Sequence, residues 1–509
     1  MRTIFILFDS LNRHFLECYG SDLLQTPNFR RLAEKAVTFD QHHVGSLPCM
    51  PARRDLQTGR LSFMHRSWGP LEPFDQSVFE RLRKTGVYSH LITDHYHYFE
   101  EGAGNYHTKY SSYEFFRGQE GDKWQAKIAA PLADWQARYH ADQFDGKTGS
   151  LPFHYMANRS HLEETGEFPS TRCFDAACTF LNANRAVDDW FLQIETFDPH
   201  EPFFAPEDHR RKFKSGYDGK IRDWPPYAPH SGDSPENDEM KRNYMALMSH
   251  CDEQLGRILD LMDENRMWAD TMLVVSTDHG FLLGEHQWWA KNRMPCYSEI
   301  ARIPLLVYHP GHADCAGERR SALTQTPDLA ATFCEAHNAP VPEAATGKSV
   351  LPLLQNPGAR NHEALLFGYF GGAINLTDGR HSYFRYPENM LDQPLYQYTL
   401  MPNHMLCSFS REEFGETELI DDPDFARGWP VLRIKVADSP GWYHSHGPGA
   451  MTDCRTVLYD LASDPGQTRP IADAALENRL VDVMRRLMQE SQAPDEAFAR
   501  LAIHTGQGS

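Results

Sequence analysis

The stretch TIFILFD, residues 3–9, decides the fold class of this chain of 509 residues. It is a continuous apolar run rather than an alternating one, which is typical of a parallel strand buried on both faces. The run ends in a carboxylate, Asp9, and the functional groups of open α/β sheets collect at the carboxyl ends of the strands. The stretch therefore predicts the first strand of a buried parallel sheet, with Asp9 at the functional edge.

Similar apolar runs recur along the chain and alternate with helical patterns. Further strands are predicted at 88–93, 190–196, 271–277 and 303–308, and helices at 29–35, 76–86, 171–184 and 244–265. This alternation implies an α/β fold, a mostly parallel sheet flanked by helices on both faces.

The pattern changes near residue 365. Shorter strands are predicted at 365–369, 379–386, 431–436 and 457–460, and a final helix at 473–491. We therefore expect a catalytic α/β domain over residues 1–364 and a smaller α+β C-terminal subdomain over residues 365–509.

The composition excludes several classes of partner. The chain has 50 basic and 70 acidic side chains and a net charge of −20. Nucleic acids and anionic membranes require a basic surface, so neither is expected as a partner. No apolar stretch reaches the length of a membrane span. The ten cysteines are scattered singly and no leader sequence precedes residue 3, which together predict a cytoplasmic protein without a disulfide framework.

The run SLPCMPARRDLQTGR, residues 46–60, places a cysteine, Cys49, at the mouth of a predicted helix. Pro51 fits a first helical turn and Gly59 fits a helix end. The free N–H groups and the positive dipole end can hold an anion, and the guanidinium of Arg53 suits a sulfate or phosphate group. Composition alone favours a buried cysteine beside a structural arginine, so the motif needs support from elsewhere in the chain.

A metal site is the second candidate feature. In the run STDHGFLLGEH, residues 276–286, Asp278 and His279 follow a predicted strand just as Asp9 does. Two carboxylates and an imidazole suit one divalent cation; the oxygen ligands favour Ca²⁺, and the histidine leaves Mn²⁺ open. Taken singly, each residue could equally be a cap or a hydrogen-bonded polar group of the core.

The pattern Cys-x-Pro-x-Arg followed by Leu-x-Thr-Gly-Arg within residues 49–60 resembles the signature of the formylglycine-dependent sulfatases, and residues 276–286 resemble the metal-binding segment of that family. The resemblance implies an alkaline-phosphatase-like fold. It also implies hydrolysis of sulfuric esters by the hydrate of a formylglycine, which a formylglycine-generating enzyme or an equivalent maturase makes from Cys49. Ser10 stands where the family usually has a second aspartate. This is similar to the choline-sulfatase and phosphonate-monoester-hydrolase branches, and it implies Asp9, the modified Cys49, Asp278 and His279 as the metal ligands.

The resemblance also implies roles for further residues. Arg53 would orient the hydrate. Residues 198–203, DPHEPF, resemble the Pro-His-x-Pro segment, so His200 would act at the leaving alcohol. Residues 288–291, WWAK, resemble the Trp-x-Lys segment, so Lys291 would hold a substrate oxygen. Without the resemblance, His200 would be taken for a polar loop residue and Lys291 for a solvated lysine.

The segment TDHYH, residues 93–97, stands where most sulfatases have Gly-Lys-Trp-His. By position His95 replaces the lysine and His97 keeps the histidine. A histidine contributes charge only when protonated, and its ordinary pKa is about 6.5. The sequence therefore predicts a catalytic site with less fixed positive charge.

The expected substrate is a small-molecule or sugar sulfate ester. A phosphonate monoester or phosphodiester hydrolase using the same site is the alternative activity. A non-catalytic binding protein with this fold is the alternative from another class, and it predicts decay of the motifs, all of which are present. Residues 94–165 are irregular and rich in aromatic side chains, and they predict either a lid over the pocket or a contact in a homo-oligomer, which we expect the chain to form. Tyr96 and Tyr106 are the expected pocket residues of this segment.

Overall fold

The computed structural model describes residues 1–451 and 453–505, and its main sheet has eight strands within these residues. The run at 3–9 forms the strand Arg2–Phe8 at the middle of this sheet, parallel to Trp190–Thr196 on one side and to Thr271–Thr277 on the other. Phe8 is paired with Thr196 and with Thr277, so the three strands end level. From edge to edge the order is Arg319–Gln325, Val37–His43, Leu305–Tyr308, Thr271–Thr277, Arg2–Phe8, Trp190–Thr196, Tyr88–Thr93 and Ser112–Phe115.

The sheet is mostly parallel, as the sequence predicts. Leu305–Tyr308 is the exception, because it runs antiparallel to Thr271–Thr277 and to Val37–His43. The strands Val37–His43, Ser112–Phe115 and Arg319–Gln325 were not predicted. In the first of them the apolar residues give way to Asp40, Gln41 and two histidines, so the apolar run is too short to indicate a strand.

Helices cover both faces of the main sheet. The strand Arg2–Phe8 sends Ile4, Ile6 and Phe8 into one apolar cluster and Phe5 and Leu7 into another, and all five side chains are buried. The alternation of a strand thus supplies two cores, each completed by amphipathic helices. The α-helices of the described residues are Pro27–Ala33, Cys49–Thr58, Val78–Lys84, Leu132–Arg138, Leu151–Thr165, Pro169–Ala183, Glu207–Lys212, Pro235–Glu264, Ser298–Ala301, Thr326–Ala336, Leu351–Gln355, Pro440–His446, Ala474–Glu490 and Asp495–Arg500.

The aromatic segment at 94–165 is more regular than the sequence indicates. It holds the strand Ser112–Phe115 and the helices Leu132–Arg138 and Leu151–Thr165. Tyr106 is 1% exposed, packs in the same apolar cluster as Phe5, and donates its hydroxyl to the carbonyl of Gly69. Tyr106 is therefore a residue of the apolar core and does not line the pocket, contrary to the expectation from the sequence.

The C-terminal region builds smaller sheets. One has five strands within the described residues, in the order Val457–Asp460, His381–Arg385, Ile374–Thr377, Leu365–Tyr369 and Ser46–Leu47. Its last strand precedes Cys49 and pairs in parallel with Gly368 and Tyr369, so this sheet supports the segment that leads to the cysteine. A further antiparallel sheet consists of Tyr396–Thr399, Val431–Lys435 and Thr417–Ile420.

The division of the chain at residues 364 and 365 stays a prediction, although the strand Leu365–Tyr369 begins there. None of the helices in the described part of the chain is long and apolar enough to cross a membrane.

Candidate active site

Four neighbouring strands of the main sheet bring polar side chains to one edge. Asp9 follows Arg2–Phe8, and Asp278 follows Thr271–Thr277. Glu195 is the last residue but one of Trp190–Thr196 and pairs in register with Leu7, and His95 lies two residues beyond Tyr88–Thr93. Because the strands are parallel, their carboxyl ends meet at the same edge, where open α/β sheets place their functional sites.

Asp9, Cys49, Asp278 and His279 form a buried cluster with the dimensions of a metal site. Each offers a ligand atom, and these atoms all lie within 4.8 Å of one another. Ligands on opposite sides of a Ca²⁺ ion lie about 4.6–5.2 Å apart, since each oxygen is about 2.3–2.6 Å from the ion. The imidazole Nδ1 of His279 lies 2.9 Å from the carbonyl of Gly280, which leaves Nε2 facing the cluster, 3.2 Å from Cys49 Sγ. The donor set therefore fits one divalent cation.

Cys49 is the first residue of the helix Cys49–Thr58, and Gly59 ends this helix in the left-handed region, at φ 72°. Both helix signals in the sequence are thus confirmed. The Cys49 side chain is 1% exposed, and burial together with the nearby Asp9 raises its pKa well above the usual range of a thiol. The unmodified residue is therefore a protonated thiol, which is a weak nucleophile.

Arg53 lies at the centre of the charged groups and contacts three carboxylates. Its Nη2 is 2.8 Å from Asp9, its Nη1 is 2.7 Å from Asp278, and its Nε is 2.7 Å from Glu195. Burial acts to lower the pKa of Arg53, but Glu195, Asp278 and Asp9 outweigh it and hold the pKa well above its usual value. The guanidinium is permanently charged and fixed in direction. Sequence reasoning missed Glu195, because it lies inside an apolar strand.

Lys291 points toward Cys49 from a two-stranded hairpin made of Leu282–Leu283 and Trp289–Ala290. Its ammonium nitrogen is 3.5 Å from Cys49 Sγ and 3.0 Å from the hydroxyl of Ser10. Burial acts to lower the pKa of Lys291, but the thiol and nearby carboxylates outweigh it and raise the pKa. Lys291 is therefore a fixed cation beside residue 49.

Ser10 occupies the position at which the family pattern has a second aspartate. Its hydroxyl donates to Asp9 Oδ1 at 2.7 Å, and its backbone N–H donates to Asp278 Oδ1 at 3.1 Å. The hydroxyl also accepts a hydrogen bond from Lys291 at 3.0 Å. Ser10 thus connects the lysine to the carboxylates without adding a negative charge.

The pKa values of His95 and His97 are shifted in opposite directions. His95 Nε2 lies 3.3 Å from Asp9, and burial together with Arg53 holds the pKa of His95 well below its usual value, so this imidazole is neutral. His97 Nδ1 lies 2.6 Å from Glu100. Burial acts to lower the pKa of His97, but Glu100 outweighs it and raises the pKa. The centres of the two rings are 5.1 Å apart.

His200 lies on the Lys291 side of the cluster. Its Nδ1 is 2.5 Å from the carbonyl of Glu201, and its ring is 4.1 Å from that of Phe197. Burial and the charge of Lys291 lower the pKa of His200 well below its usual value. Glu201, which the sequence did not indicate, lies 3.9 Å from Lys291, and burial raises its pKa to about 7. The hydroxyl of Tyr227 donates to the same carboxylate.

A mostly parallel sheet with a buried Asp–Cys–Asp–His cluster and an arginine at its carboxyl edge has the layout of an α/β enzyme whose site suits a divalent cation and an anionic group. Residues 2–339 match the family model described as Sulfatase, and the chain belongs to this family. The family typically uses a formylglycine and a divalent metal.

Several known proteins are similar to this chain. It is 24% identical over 474 residues to an N-acetylglucosamine-6-O-sulfatase of Bacteroides thetaiotaomicron, covering 82% of this chain and 84% of that protein. It is 26% identical over 521 residues to the multifunctional alkaline phosphatase superfamily protein PehA of Trinickia caryophylli, covering 88% and 96%. The crystal structure of the phosphonate monoester hydrolase of Agrobacterium radiobacter superposes with a TM-score of 0.62 at 17% identity, covering 98% and 97%. At this low sequence identity, the superposition on the Agrobacterium structure shows that the two chains share a fold.

Proposed function

We propose that this chain hydrolyses an organic sulfate ester with residue 49 as the nucleophile. The observation that supports the proposal best is the position of Cys49. It lies at a helix mouth within reach of Asp9, Asp278 and His279, with Lys291 3.5 Å from its sulfur. Converted to formylglycine, as is typical of the family, this residue would offer an aldehyde hydrate, whose deprotonated hydroxyl oxygen would attack sulfur while the bond to the leaving alcohol breaks. The second hydroxyl would then lose its proton, and cleavage of the carbon–oxygen bond to the sulfate would release sulfate and restore the aldehyde, which water hydrates again.

The charged groups around Cys49 suit this chemistry. Arg53 orients the nucleophile and offsets its charge, because its Nη1 contacts the carbonyl of Cys49 at 3.0 Å and its Nη2 contacts Asp9 at 2.8 Å. Lys291 provides a fixed cation for the sulfuryl oxygens. His97, whose pKa Glu100 raises, is the proposed second positive group, while His95 lies 3.3 Å from Asp9 as a neutral ring.

His200 is the proposed donor to the leaving alcohol. Its Nδ1 is engaged with the carbonyl of Glu201, so Nε2 is the nitrogen available for the ester oxygen. Transfer of a proton from Nε2 to the alkoxide as the sulfur–oxygen bond breaks requires the cationic imidazole, because Nδ1 donates its own proton to the carbonyl. Burial and Lys291 disfavour that cation in the site without substrate, and a bound anionic ester would favour it. Glu201 and Lys291 lie beside this histidine and set the local charge.

Asp9, Asp278, His279 and residue 49 would hold the divalent cation. When bound, such a cation polarises sulfate oxygens and lowers the pKa of a neighbouring hydroxyl. Ca²⁺ is the ion we propose, because two of the protein ligands are carboxylates, and Mn²⁺ is the alternative that the imidazole allows.

Further parts of the proposal concern partners and location. The substrate would be a small-molecule or sugar sulfate, in line with the name of the Bacteroides relative. A maturase would convert Cys49. The protein would act as a homo-oligomer in the cytoplasm, a reducing compartment that agrees with the lack of disulfide bonds among the cysteines of the described residues.

The experiment that tests the proposal combines mass spectrometry with kinetics. The peptide that contains residue 49 is expected to show an aldehyde in place of the thiol in active preparations. Cys49→Ala should remove nearly all turnover of aryl and sugar sulfates and leave the folded state intact. A Cys49→Ala protein that retains most of its sulfatase activity would refute the role of this residue.

The alternative activity, on phosphonate monoesters or phosphodiesters, is tested in the same assay. Ser10 favours this alternative, because with a serine at this position Asp9 alone supplies a carboxylate to the metal cluster from the end of the strand Arg2–Phe8. Matched aryl sulfate and aryl phosphonate substrates separate the two activities, and a higher kcat/KM for the phosphonate would reassign the main substrate.

A further inference from the structure

One carboxylate oxygen beside the leaving-group histidine is buried without a hydrogen bond. Glu201 is 1% exposed. Its Oε1 accepts a hydrogen bond from the hydroxyl of Tyr227, whereas no donor among the described residues completes a hydrogen bond to its Oε2. A buried carboxylate oxygen without a donor is unfavourable, because it has lost its hydration without replacement. An oxygen held in this way suits a partner that becomes charged during the reaction.

Two basic side chains lie near this oxygen. The Nδ1 atom of His200 is 3.2 Å from Oε2 of Glu201, and the ammonium nitrogen of Lys291 is 3.9 Å from the same oxygen. Lys291 also has Asp9 at 3.9 Å, whereas His200 forms no ion pair with any other carboxylate of the described residues. Glu201 is therefore the carboxylate that is placed to stabilise a positive charge on His200.

His200 can donate a proton from Nε2 only as a cation, because its Nδ1 already donates to the carbonyl of Glu201 at 2.5 Å. Burial and the charge of Lys291 lower the pKa of His200. Asp9 acts against this shift, and His279 adds to it. Burial also raises the pKa of Glu201 to about 7, while Lys291 acts to lower it. A charge on either member of the pair favours charge on the other, since opposite charges within about 4–6 Å stabilise each other.

We propose that Glu201 is a positioning residue that pairs with protonated His200 while the leaving alcohol departs. Its ionised Oε2 would accept a hydrogen bond from Nδ1–H and hold the ring with Nε2 toward the ester oxygen. As the sulfur–oxygen bond breaks, its electron pair stays with the leaving oxygen, which takes the proton from Nε2. Glu201 stays ionised and exchanges no atoms, and the neutral ring regains a proton from water before the next turnover. The inference rests on the proposed function, because it gives the proton donor of that reaction its partner.

The test measures how the rate depends on the leaving alcohol. The substrates are 4-nitrophenyl, 4-chlorophenyl and phenyl sulfate, whose leaving oxides become more basic in this order while their size changes little. Glu201→Gln keeps the shape of the side chain and removes its charge. Proton donation contributes about 10²–10⁴ to a rate and matters most for the most basic leaving oxide.

Glu120→Gln is the matched control. Burial raises the pKa of Glu120, and His97 and Lys291 act to lower it, so this carboxylate also lies within the field of Lys291. It accepts a hydrogen bond from Tyr96 and forms no ion pair with a histidine in the described part of the chain. The control therefore removes the same charge near Lys291 without touching His200.

Glu201→Gln should lower kcat/KM by about 100-fold for phenyl sulfate and by about threefold or less for 4-nitrophenyl sulfate. Glu120→Gln should change kcat/KM for all three substrates by the same factor. Glu201→Asp restores a carboxylate on a shorter side chain and should recover about tenfold of the loss with phenyl sulfate, since the charge is present at a longer distance.

A double variant tests whether Glu201 acts through His200. His200→Asn should show the same dependence on the leaving alcohol as Glu201→Gln. With His200 already replaced, Glu201→Gln should cost no more than about threefold with phenyl sulfate, because no ring is left to charge. Losses that multiply in the double variant would mean that the two residues act independently.

The inference is overturned if Glu201→Gln leaves every rate unchanged or lowers all three by the same factor, or if Glu120→Gln changes the dependence on the leaving alcohol as much. Urea unfolding identifies a variant that does not fold, and Glu201→Asp then carries the same comparison. Failure of the proposed function is distinguishable, because the unaltered protein carrying formylglycine would then hydrolyse none of the three sulfates. The dependence on the leaving alcohol would in that case be measured on the matched aryl phosphonates.

Discussion

Glu195 offers the sharpest test of how the site is held together. Its Oε1 is 2.7 Å from Arg53 Nε, and its Oε2 accepts hydrogen bonds from Tyr98 at 2.9 Å and from the amide of Gln193 at 2.7 Å. Glu195→Gln keeps the shape of the side chain and removes its charge. In the variant, an NH₂ group would replace the Oε2 atom that accepts from the Gln193 amide. Two donors would then face each other, so this hydrogen bond would be lost as well.

The expected size of the effect follows from these contacts. Removing one partner of a buried ion pair costs about 3–5 kcal/mol. Arg53 would keep Asp9 and Asp278 as partners, at 2.8 and 2.7 Å. We therefore expect about 3 kcal/mol of lost unfolding free energy, the lower end of that range. A guanidinium that is less firmly directed should lower kcat by about 10- to 100-fold, which corresponds to about 1.4–2.8 kcal/mol of the barrier.

The assay is the steady-state hydrolysis of a small aryl sulfate together with urea unfolding. KM should change little, because Glu195 is fully buried behind Arg53. Tyr98→Phe is the matched control, since it removes one hydrogen-bond donor to the Glu195 carboxylate and leaves the negative charge of Glu195 in place. It should cost about 1 kcal/mol of stability and leave kcat nearly unchanged. Unchanged kcat in Glu195→Gln, or an equal loss in Tyr98→Phe, would refute the positioning role of the charge.

Three further predictions test the metal site, the charge network and the aromatic core. Asp278→Ala should lose both the bound divalent metal and activity, and a metal content equal to that of the unaltered protein in elemental analysis would contradict the ligand set. In the folded protein burial acts to raise the pKa of Asp75, but Arg54 and Arg60 outweigh it and lower the pKa to about 2, below the ordinary 3.8. This carboxylate therefore adds about 2 kcal/mol of stability above pH 4, which is lost as the pH falls through 2. The difference in unfolding free energy between the unaltered protein and Asp75→Asn should shrink over that range, and a difference independent of pH would be inconsistent with it. Tyr106→Ala should lower stability by about 3–5 kcal/mol in thermal unfolding and reduce turnover of all sulfate esters alike, whereas a changed ranking among substrates would place the ring at the pocket after all.

The sequence predicts the centre of the fold and most of the site for identifiable physical reasons. A parallel strand buried on both faces is a continuous apolar run, so Arg2–Phe8 and Thr271–Thr277 were recognisable. Asp9 and Asp278 directly follow these runs, and chain order alone places them at one edge. A proline and a glycine mark the ends of the helix that begins at Cys49, whereas the role of Cys49 followed from the resemblance to the sulfatase signature.

Other features depend on contacts that sequence periodicity does not report. Glu195 is a charge inside an apolar strand, and its partner Arg53 is distant in the chain. The segment at 94–165 combines many rings with little periodicity, so its core residues, such as Tyr106, could not be separated from surface rings. The neutral state of His95 follows from complete burial beside Arg53, which only the folded arrangement shows.

The balance of charge at the site leads to a last prediction, on substrate charge. Asp9, Asp278 and Glu195 bring three negative charges to the site, and Arg53 and Lys291 bring two positive ones. A bound divalent cation would therefore leave an excess of one positive charge. Sulfate monoesters, phosphonate monoesters and phosphodiesters each carry one negative charge and match this excess. A phosphate monoester carries about −1.5 to −2 at pH 7 and does not match it.

We therefore expect kcat/KM for a 4-nitrophenyl phosphate monoester to be at least about tenfold lower than that for the matched sulfate, since one uncompensated charge in a buried site costs more than 1.4 kcal/mol. The difference should narrow as the pH falls below about 6, where the phosphate ester takes up its second proton and becomes a monoanion. Lys291→Met is the informative variant, because it removes the positive charge that lies 3.9 Å from Asp9 and should lower turnover of every monoanion together. A phosphate monoester that is hydrolysed faster than the sulfate at pH 7 would mean that the charge of the site is set by groups other than these five. The first such group would be Glu201, because its carboxylate lies 3.9 Å from Lys291. Burial raises the pKa of Glu201 to about 7, so its charge contributes to the site only when it is ionised.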